Sequence, residues 1–289
     1  MDNPELLSKY NKLKEYLSSL GSLTVAFSGG VDSSFLLFAS KDALGENVTA
    51  VTVTSEFVPQ REIKEAAEFC REYGIRAVTL TARPLDNETV AANPADRCYH
   101  CKREIFGMII DFSQKNGTGA VAEASNLDDN SDYRPGHRAI AELGVISPLR
   151  ECGFSKAEIR ILSKHFGLPT WDKPALACLA TRIPYGDRIT TEKLAMAEKA
   201  EDFLRDNGFG QLRVRIHGDI ARIELEEKDI PRVLQGGLRR EIYGEFKKTG
   251  FSYVTLDILG YRTGSMNEVL QKAVKTGDGS LSDIRKCDL

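Results

Sequence analysis

Apolar positions recur with two different periods along the first half of the chain, and each change of period marks a new element. Residues 4–20 place apolar side chains three and four positions apart, which predicts an amphipathic helix. Short apolar runs typical of strands occupy residues 23–27, 48–55, 75–82, 120–125 and, more briefly, 145–149. Helical spacing returns over residues 61–73, 99–115 and 155–167. Strands that alternate with helices predict an α/β fold with a parallel sheet covered on both faces.

The pattern changes after Pro174. The next residues, to about 190, contain glycine and proline without a regular period, which predicts an active-site loop. Beyond this loop the pattern predicts a helix, two strands, a helix and a strand, over residues 192–207, 212–218, 220–226, 230–248 and 253–258. This order is typical of a small α+β domain. We therefore expect two domains, residues 1–174 and 175–289.

Composition narrows the class of protein without indicating a reaction. The 39 basic and 42 acidic side chains give a net charge of −3, so binding of nucleic acid through bulk charge is not expected. No apolar run approaches the length of a membrane span, and the polar N-terminal helix is unlike a secretory signal. We therefore predict a cytoplasmic protein whose six cysteines are thiols or metal ligands rather than disulfides.

The most informative segment lies between the first strand and the helix that follows it. It reads Ser28-Gly29-Gly30-Val31-Asp32-Ser33-Ser34. The glycines permit a tight turn, the helix N-terminus offers N–H groups to an anion, and the serines add hydroxyl donors. The segment is neither a Walker A loop nor a GxGxxG motif. It predicts a phosphate-binding loop; the simpler interpretation is a turn capped by Asp32 and Ser33.

Three cysteines stand in positions suited to ligation. Cys98 and Cys101 form a C-x-x-C at the start of a predicted helix, and Cys178 lies in the irregular segment. Three thiolates leave one corner of a tetrahedral site, or one iron of a cluster, open. The C-x-x-C alone also fits a redox or persulfide pair, or half of a zinc site, with His100 as a less suitable further ligand. The remaining cysteines are expected to have no role in the chemistry: Cys70, Cys152 and Cys287.

With these motifs the sequence resembles the PP-loop ATP pyrophosphatases, whose SGGxDS loop matches residues 28–33. The resemblance implies that ATP binds at this loop and is split to AMP and pyrophosphate, with Asp32 helping to hold Mg²⁺ or capping the helix. The reaction would adenylate a carboxylate or carbonyl oxygen of a second substrate. Asn126 and Asp128, after the fourth strand, resemble a superfamily segment near ATP and that substrate. Carboxyl ends of parallel strands are also where ligands of α/β proteins bind.

The strings SGGVDSS, RCYHCK, SPL, ACLATRIPYG and RVRIHGDIARIE narrow the resemblance to the LarE family of ATP-dependent sulfur transferases. The resemblance covers nearly the whole chain. It implies that the substrate is pyridinium-3,5-biscarboxylic acid mononucleotide, whose carboxylates become thiocarboxylates for the nickel-pincer cofactor of lactate racemase. One class of the family consumes a sacrificial cysteine, here Cys178. The other holds a 4Fe-4S cluster on three cysteines, here Cys98, Cys101 and Cys178, and we expect this chain to belong to the cluster class.

Several charged residues of the C-terminal half are candidates for anion binding. Arg182 follows Cys178 by four residues and is expected to hold an anion during catalysis. Arg213 and Arg215 alternate on a predicted strand and so share one face, where the family's RVRxHG pattern favours a phosphate or carboxylate over plain exposure to solvent.

Three further side chains have weaker support. Glu224 is a candidate metal or substrate contact, and His217 is expected to have no role. Glu201 lies on a predicted helix, where a glutamate ordinarily faces solvent, although acidic residues of this region bind divalent metals in some family members.

The resemblance further implies ATP, Mg²⁺ and the 4Fe-4S cluster as cofactors, a homo-oligomer, and lactate racemase maturation proteins as candidate partners. Three rival functions stay open. A tRNA thiolase of the same superfamily would also use a three-cysteine cluster but would need a surface for RNA. An amidating synthetase such as NAD synthetase would need ammonia and no thiols. A non-catalytic ATP-binding or iron–sulfur carrier protein would release no pyrophosphate.

Overall fold

The computed structural model describes residues 4–131, 135–175 and 177–267. The chain divides into two compact units. One consists of Met1–Pro84 and Asp96–Leu176, and the other of Leu85–Ala95 and Ala177–Leu289. The short segment Leu85–Ala95 therefore belongs with the C-terminal part of the chain, although it is flanked on both sides by the first unit.

Helices and strands alternate through the first unit. The elements up to residue 81 are α1 (Pro4–Ser19), β1 (Leu23–Ala26), α2 (Val31–Leu44), β2 (Val48–Thr54), α3 (Gln60–Glu72) and β3 (Arg76–Thr81). After the short helix α4 (Glu88–Ala91) of the second unit come α5 (Arg97–Asn116), β4 (Ala120–Ala122), α6 (Gly136–Glu142), α7 (Pro148–Glu151) and α8 (Lys156–His165). The predicted α/β order is confirmed.

The four strands form one parallel sheet in the order β3-β2-β1-β4. The chain builds outward from β1 through β2 to β3 and then returns to the other side of β1 to form β4. The direction of winding reverses between β1 and β4. In open α/β sheets such a reversal opens a crevice at the carboxyl ends of the two strands, where ligands bind. The segments that leave these two ends are residues 27–30 and 123–129.

Apolar side chains cover both faces of the sheet. Leu23 and Val25 of β1 pack in one core cluster with helices α1, α2 and α8, whereas Val51 and Val121 belong to a second cluster with α5 and α6. Successive strand residues point to opposite faces, so Thr24 of β1 faces away from Leu23 and Val25, and its buried hydroxyl lies 2.7 Å from Thr118 Oγ1.

The predicted fifth strand is wrong in extent. Residues 145–149 contribute one parallel bridge, between Ala122 and Ile146, and the helix α7 begins at Pro148. Proline has no N–H to extend a ladder, and its fixed φ suits the first turn of a helix. The predicted strand therefore ends after a single paired residue.

The second unit adds α9 (Thr191–Asp206), β5 (Leu212–His217), β6 (Ile220–Leu225), α10 (Ile230–Leu234), α11 (Leu238–Thr249) and β7 (Tyr253–Leu256). Its strands form a sheet of order β5-β6-β7, in which β5 pairs antiparallel and β7 parallel to β6. A single helix over 230–248 is wrong, because the chain breaks at Gly236, whose φ of +59° is left-handed. Within the described ranges, no helix combines the length and apolar character needed to cross a membrane.

Candidate active site

The phosphate loop leaves β1 in a conformation that requires glycine. Gly29 has a φ of +70°, and a Cβ at this position would lie 3.3 Å from the Cβ of Ala66 on α3. A side chain would therefore be strained and crowded. Lys173 donates a hydrogen bond of 2.9 Å from Nζ to the Gly29 carbonyl and forms an ion pair of 2.6 Å with Glu65. Lys173 thus binds the turn through its carbonyl oxygen, and this contact uses none of the backbone N–H groups of the turn.

Serine hydroxyls and the start of α2 complete the loop. Ser28 Oγ lies 3.0 Å from Ser33 Oγ, and Ser33 Oγ donates to the Gly30 carbonyl at 3.2 Å. Gly30 is the N-cap residue of α2, and no side chain caps this helix. Asp32 is therefore not a helix cap, contrary to one of the two roles that the sequence allowed. An uncapped helix N-terminus is an anion site, because its first N–H groups lack acceptors within the helix.

Asp32 is the acidic group of the loop. Its Oδ2 forms an ion pair with Lys156 Nζ, whereas its Oδ1 is buried and accepts no hydrogen bond from any described residue. Burial raises the pKa of Asp32, and the Lys156 ammonium opposes that rise. Ser34, also fully buried, has a hydroxyl oxygen without a partner among the described residues. A carboxylate oxygen without a donor, beside a helix N-terminus, fits Mg²⁺ carried by a polyphosphate, because Mg²⁺ prefers such oxygens.

The turn after β4 lies at the same edge of the sheet. Asn126 Oδ1 accepts a bond of 2.9 Å from Asp128 N, and Asp128 Oδ2 accepts one of 2.8 Å from Lys156 N. Lys156 thus joins this turn to Asp32. Asp129, three residues after Asn126, accepts from Asn126 N at 3.0 Å, and its charge contributes to the raised pKa of Asp32. The structure brings the predicted residues of the loop and of the turn together.

The C-x-x-C motif occupies the first turn of α5. Cys98 and Cys101 are three residues apart on this helix and therefore face the same side. The buried Arg97 directs Nη2 to Cys98 Sγ at 3.9 Å, and a helix N-terminus and a guanidinium both favour a thiolate. His100 Nε2 lies 3.3 Å from Asp96 Oδ2. Across residues 4–131, 135–175 and 177–267, no three His, Cys, Asp or Glu side chains are grouped to hold a metal.

The other cysteines differ in their surroundings. Cys70 packs in the core on α3, and burial raises the pKa of its thiol to about 11. Cys152 follows α7, and burial again raises the pKa of the thiol. Such thiols are poor nucleophiles and poor metal ligands at neutral pH. Cys287 lies outside the described residues.

In the second unit, Cys178 directly precedes a turn of 3-10 helix, Leu179–Arg182. Arg182 Nη1 donates to the carbonyl oxygens of Ala177 and Cys178, at 2.6 and 3.1 Å, and Thr181 Oγ1 donates to the Cys178 carbonyl at 2.9 Å. Arg182 is itself only 2% exposed. The guanidinium thus holds the backbone of the cysteine, while its expected part in binding an anion stays a prediction.

Glu201 is the partner of Arg182 and corrects an expectation. The sequence predicts a solvated side chain, but Glu201 is fully buried on α9 and accepts from Arg182 Nε and Nη2 at 2.7 and 2.8 Å. It also accepts from Arg205 at 2.8 Å and from Val214 N at 3.0 Å. The Arg182 and Arg205 guanidiniums lower the pKa of Glu201 to about 2, against the effect of burial. The glutamate faces the sheet because the apolar positions of α9, including Leu194 and Leu204, share its face.

Arg213 and Arg215 are both buried on β5, so the alternative of a solvent-facing strand is wrong for both. Arg215 Nε and Nη2 donate to Glu224 Oε2 at 3.1 and 2.9 Å, and its Nη1 donates to the Thr181 carbonyl at 2.7 Å. The Arg213 guanidinium lies 5.3 Å from the centre of the Tyr261 ring.

Burial, together with the neighbouring Arg182, lowers the pKa of Arg213 to about 10. Glu201 and Glu224 carry the opposing negative charges, so the expected part of Arg213 and Arg215 in binding an anion stays a prediction. His217 is exposed at the end of β5.

Comparison with known proteins decides the family. The family model described as NAD synthase matches residues 6–98. The pyridinium-3,5-bisthiocarboxylic acid mononucleotide synthase of Lactiplantibacillus plantarum is 38% identical over 269 residues, which cover 93% of this chain and 97% of that protein. The chain belongs to the LarE family of this synthase. An uncharacterised Synechocystis protein is 40% identical over 92% of this chain and all of its own length. A subunit of the glutamine-hydrolysing GMP synthase of Thermoplasma volcanium is 24% identical over 64% of this chain and 63% of its own.

Membership of the LarE family, together with the phosphate loop, makes this chain an ATP-dependent sulfur transferase. Two site residues were not predicted from the sequence. One is Lys156, which the sequence presents as an ordinary first residue of a helix, and the other is Asp129. The spacing of Asp129 from Asn126 was a signal that could have been used.

Proposed function

We propose that the chain converts the carboxylates of pyridinium-3,5-biscarboxylic acid mononucleotide to thiocarboxylates for the nickel-pincer cofactor of lactate racemase. The observation that carries the proposal is the similarity to the Lactiplantibacillus plantarum synthase over nearly the full length of both chains. The geometry adds support, because the loop at Ser28–Ser34 has the free N–H groups and the open Asp32 oxygen that an ATP polyphosphate with Mg²⁺ needs.

The first chemical step is activation of the carboxylate. A substrate carboxylate oxygen attacks the α-phosphorus of ATP, the bond to the β-phosphate oxygen breaks, and pyrophosphate leaves with that electron pair. Asp32 would hold Mg²⁺, which offsets charge on the leaving group when bound. The α2 N-terminus and the Ser28 and Ser33 hydroxyls would bind the phosphate oxygens, whereas the Ser34 hydroxyl is fully buried. Activation is needed because a carboxylate is a poor electrophile, whereas the acyl adenylate has AMP as a leaving group.

The second step delivers sulfur. A sulfide sulfur attacks the acyl carbon, the carbon–oxygen bond to AMP breaks, and a thiocarboxylate and AMP are released. As the resemblance implies, Cys98, Cys101 and Cys178 would together hold a 4Fe-4S cluster that supplies the sulfide, although these side chains are not grouped as a metal site among the described residues. In the alternative, Cys178 itself is the sulfur donor and is consumed once. In both cases Arg182 holds the Cys178 backbone, and Arg213 and Arg215 supply positive charge for the anionic substrate.

Iron and acid-labile sulfide per chain, measured after anaerobic reconstitution, test the cluster. We expect about four irons in the parent protein and a loss of most iron in Cys98→Ala. Cys152→Ala is the matched control, since it removes a thiol of the same unit that is not in the donor set. Negligible iron in the parent would refute the cluster.

The two sulfur sources differ in turnover. If the cluster supplies the sulfur, each chain should release more than one AMP and more than one thiocarboxylate, and the mass of the peptide that contains Cys178 should not change. Loss of one hydrogen sulfide from Cys178 after a single turnover would establish the sacrificial donor instead. Thiolation of tRNA by the same preparation would support the tRNA thiolase and overturn the mononucleotide as substrate. A cytoplasmic location, a homo-oligomeric state and contact with lactate racemase maturation proteins belong to the same proposal.

A further inference from the structure

A buried asparagine with a strained backbone, Asn93, lies in Leu85–Ala95, the segment that precedes most of the second unit in sequence but belongs to it. Asn93 has a φ of +59°, whereas every other left-handed residue among the described ones is a glycine. It is 0% exposed. A side chain in this conformation costs free energy, and such residues persist where the surroundings hold them and tend to cluster at functional sites. The contacts of Asn93 show what holds it.

The carboxamide of Asn93 is directed at the chain that follows the Cys178 turn. Its Nδ2 donates to the carbonyl oxygens of Ile183, Pro184 and Asp187, at 3.2, 2.7 and 3.1 Å. The backbone of the same segment donates in return, because Gly186 N bonds to the Asn93 carbonyl at 2.9 Å. The carboxamide and the Asn93 backbone therefore grip residues 183–187 from one side.

This grip is continuous with the turn that carries Cys178. Ile183 directly follows Arg182, and its N–H donates to the Ala180 carbonyl at 3.3 Å within that turn. One end of the turn is held by Arg182, which donates to the Cys178 carbonyl. The other end is held by Asn93 through the Ile183 carbonyl. Residues 178–183 are thus held by two side chains, that of Arg182 within the turn and that of Asn93 from a distant part of the sequence.

We propose that Asn93 is a positioning residue for sulfur transfer: its carboxamide fixes residues 183–187 and thereby sets the orientation of Cys178. The role in transfer rests on the proposed function. The left-handed backbone serves the bonds, because it turns both the carbonyl and the side chain of Asn93 toward the same segment. The amide N–H₂ of Asn93 has two hydrogens to share among these carbonyls, whereas a carboxylate would offer them only acceptors.

Two substitutions separate the side chain from the backbone. Asn93→Gly keeps the left-handed conformation at no strain and removes the three side-chain bonds. Asn93→Asp keeps the shape but sets acceptor against acceptor. Asn87→Gly is the matched control, because Asn87 belongs to the same segment but caps α4 through Thr89 N instead. If left-handed geometry alone mattered, Asn93→Gly would behave as the parent does.

The first readouts need neither cofactor nor substrate. On the full chain before cluster reconstitution, we measure alkylation of Cys178 by iodoacetamide, with Cys152 as the internal reference, and hydrogen exchange of residues 183–189. We expect both variants at position 93 to change the Cys178 rate by about tenfold and to accelerate exchange of residues 183–189 by at least as much, or about 1.4 kcal/mol of lost protection. The Cys152 rate and the Asn87→Gly control should match the parent. Unchanged exchange, or faster exchange with an unchanged Cys178 rate, would overturn the proposal.

The reaction itself gives the third readout. For thiocarboxylate formation, we expect kcat to fall about tenfold in Asn93→Gly while KM for ATP stays within about twofold, because the phosphate loop belongs to the other unit. If KM for ATP also rose about tenfold, the variant would be generally unfolded, and a positioning role for Asn93 would be overturned. If the parent makes no thiocarboxylate, the proposed function fails, and the alkylation and exchange results still decide whether Asn93 orients Cys178.

Discussion

Replacement of Glu201 by glutamine should destabilise the second unit strongly and in a way that depends on pH. The carboxylate is fully buried and accepts from Arg182, Arg205 and Val214 N. In Glu201→Gln the charge disappears while the two guanidiniums remain, and Arg182 is itself buried. Removal of one partner of a buried ion pair costs about 3–5 kcal/mol, because the other charge is left without compensation.

The lowered pKa of Glu201 gives a second figure for the free energy that its ion pairs contribute to folding. A carboxyl whose pKa falls from 4.5 to about 2 on folding contributes on the order of 3 kcal/mol at neutral pH. A lowered folded-state pKa means that this contribution is complete above about pH 4.5 and is lost as the pH falls through about 2. The difference in stability between the parent and Glu201→Gln should therefore be constant from pH 7 to about 5 and should shrink toward pH 2.

Hydrogen exchange of α9 is the suitable assay, because a chain of two units need not unfold in one step. At neutral pH we expect exchange across Thr191–Asp206 to accelerate about a hundredfold, which corresponds to about 3 kcal/mol. Arg205→Gln should cost less, since Glu201 keeps Arg182. Asp206→Asn, which changes the charge at an exposed position of the same helix, is the control. A loss below about 1 kcal/mol, or a difference that does not vary between pH 5 and pH 2, would refute the reasoning.

Two further substitutions test the first unit. Gly119→Ala should lower the melting temperature markedly, because the new Cβ would overlap the Ser22 carbonyl oxygen. Gly144→Ala is the control: its φ is similar and no atom lies within 4 Å of the Cβ, so it should show only the smaller cost of the left-handed backbone. Equal shifts of the two melting temperatures would contradict this prediction. Asp32→Asn should weaken binding of ATP in the presence of Mg²⁺ by about tenfold and remove most of the effect of Mg²⁺ on that binding. Isothermal titration with and without Mg²⁺ measures both, and an unaltered dependence on Mg²⁺ would exclude Asp32 as the ligand.

The first unit was predictable because its signals are local. The alternation of strands and helices, the glycine loop at Ser28–Ser34 and the C-x-x-C at a helix start all depend on neighbours within a few residues. The prediction of a strand over residues 145–149 was wrong for a reason that is also local, because Pro148 ends the strand pairing and starts a helix. The break between α10 and α11 was visible as Gly236-Gly237, but helical spacing on both sides concealed it.

The C-terminal site was less predictable, because its residues are defined by partners far away in the chain. Glu201 lies on the apolar face of α9 with Leu194 and Leu204, but a glutamate ordinarily faces solvent, and its burial is favourable only because Arg182 and the β5 backbone bind it. Asn93 gave no signal at all, since the segment Leu85–Ala95 has no regular period and its membership in the second unit depends on the fold.

The two side chains that hold the Cys178 turn, Arg182 and Asn93, have a clear use if Cys178 delivers sulfur as proposed. A cysteine that donates or carries sulfur must meet an acyl adenylate before water does, so its backbone must be fixed before substrate binds. Arg182 is the last residue of the turn, so its bonds to Cys178 close the turn, and partners outside the turn are needed to hold it in place. Arg182, held by Glu201, fixes the carbonyl of Cys178, and Asn93 fixes the chain beyond it. Asn93 makes its bonds from a left-handed backbone that costs free energy, and we therefore attribute this strain to positioning of Cys178 rather than to stability of the fold.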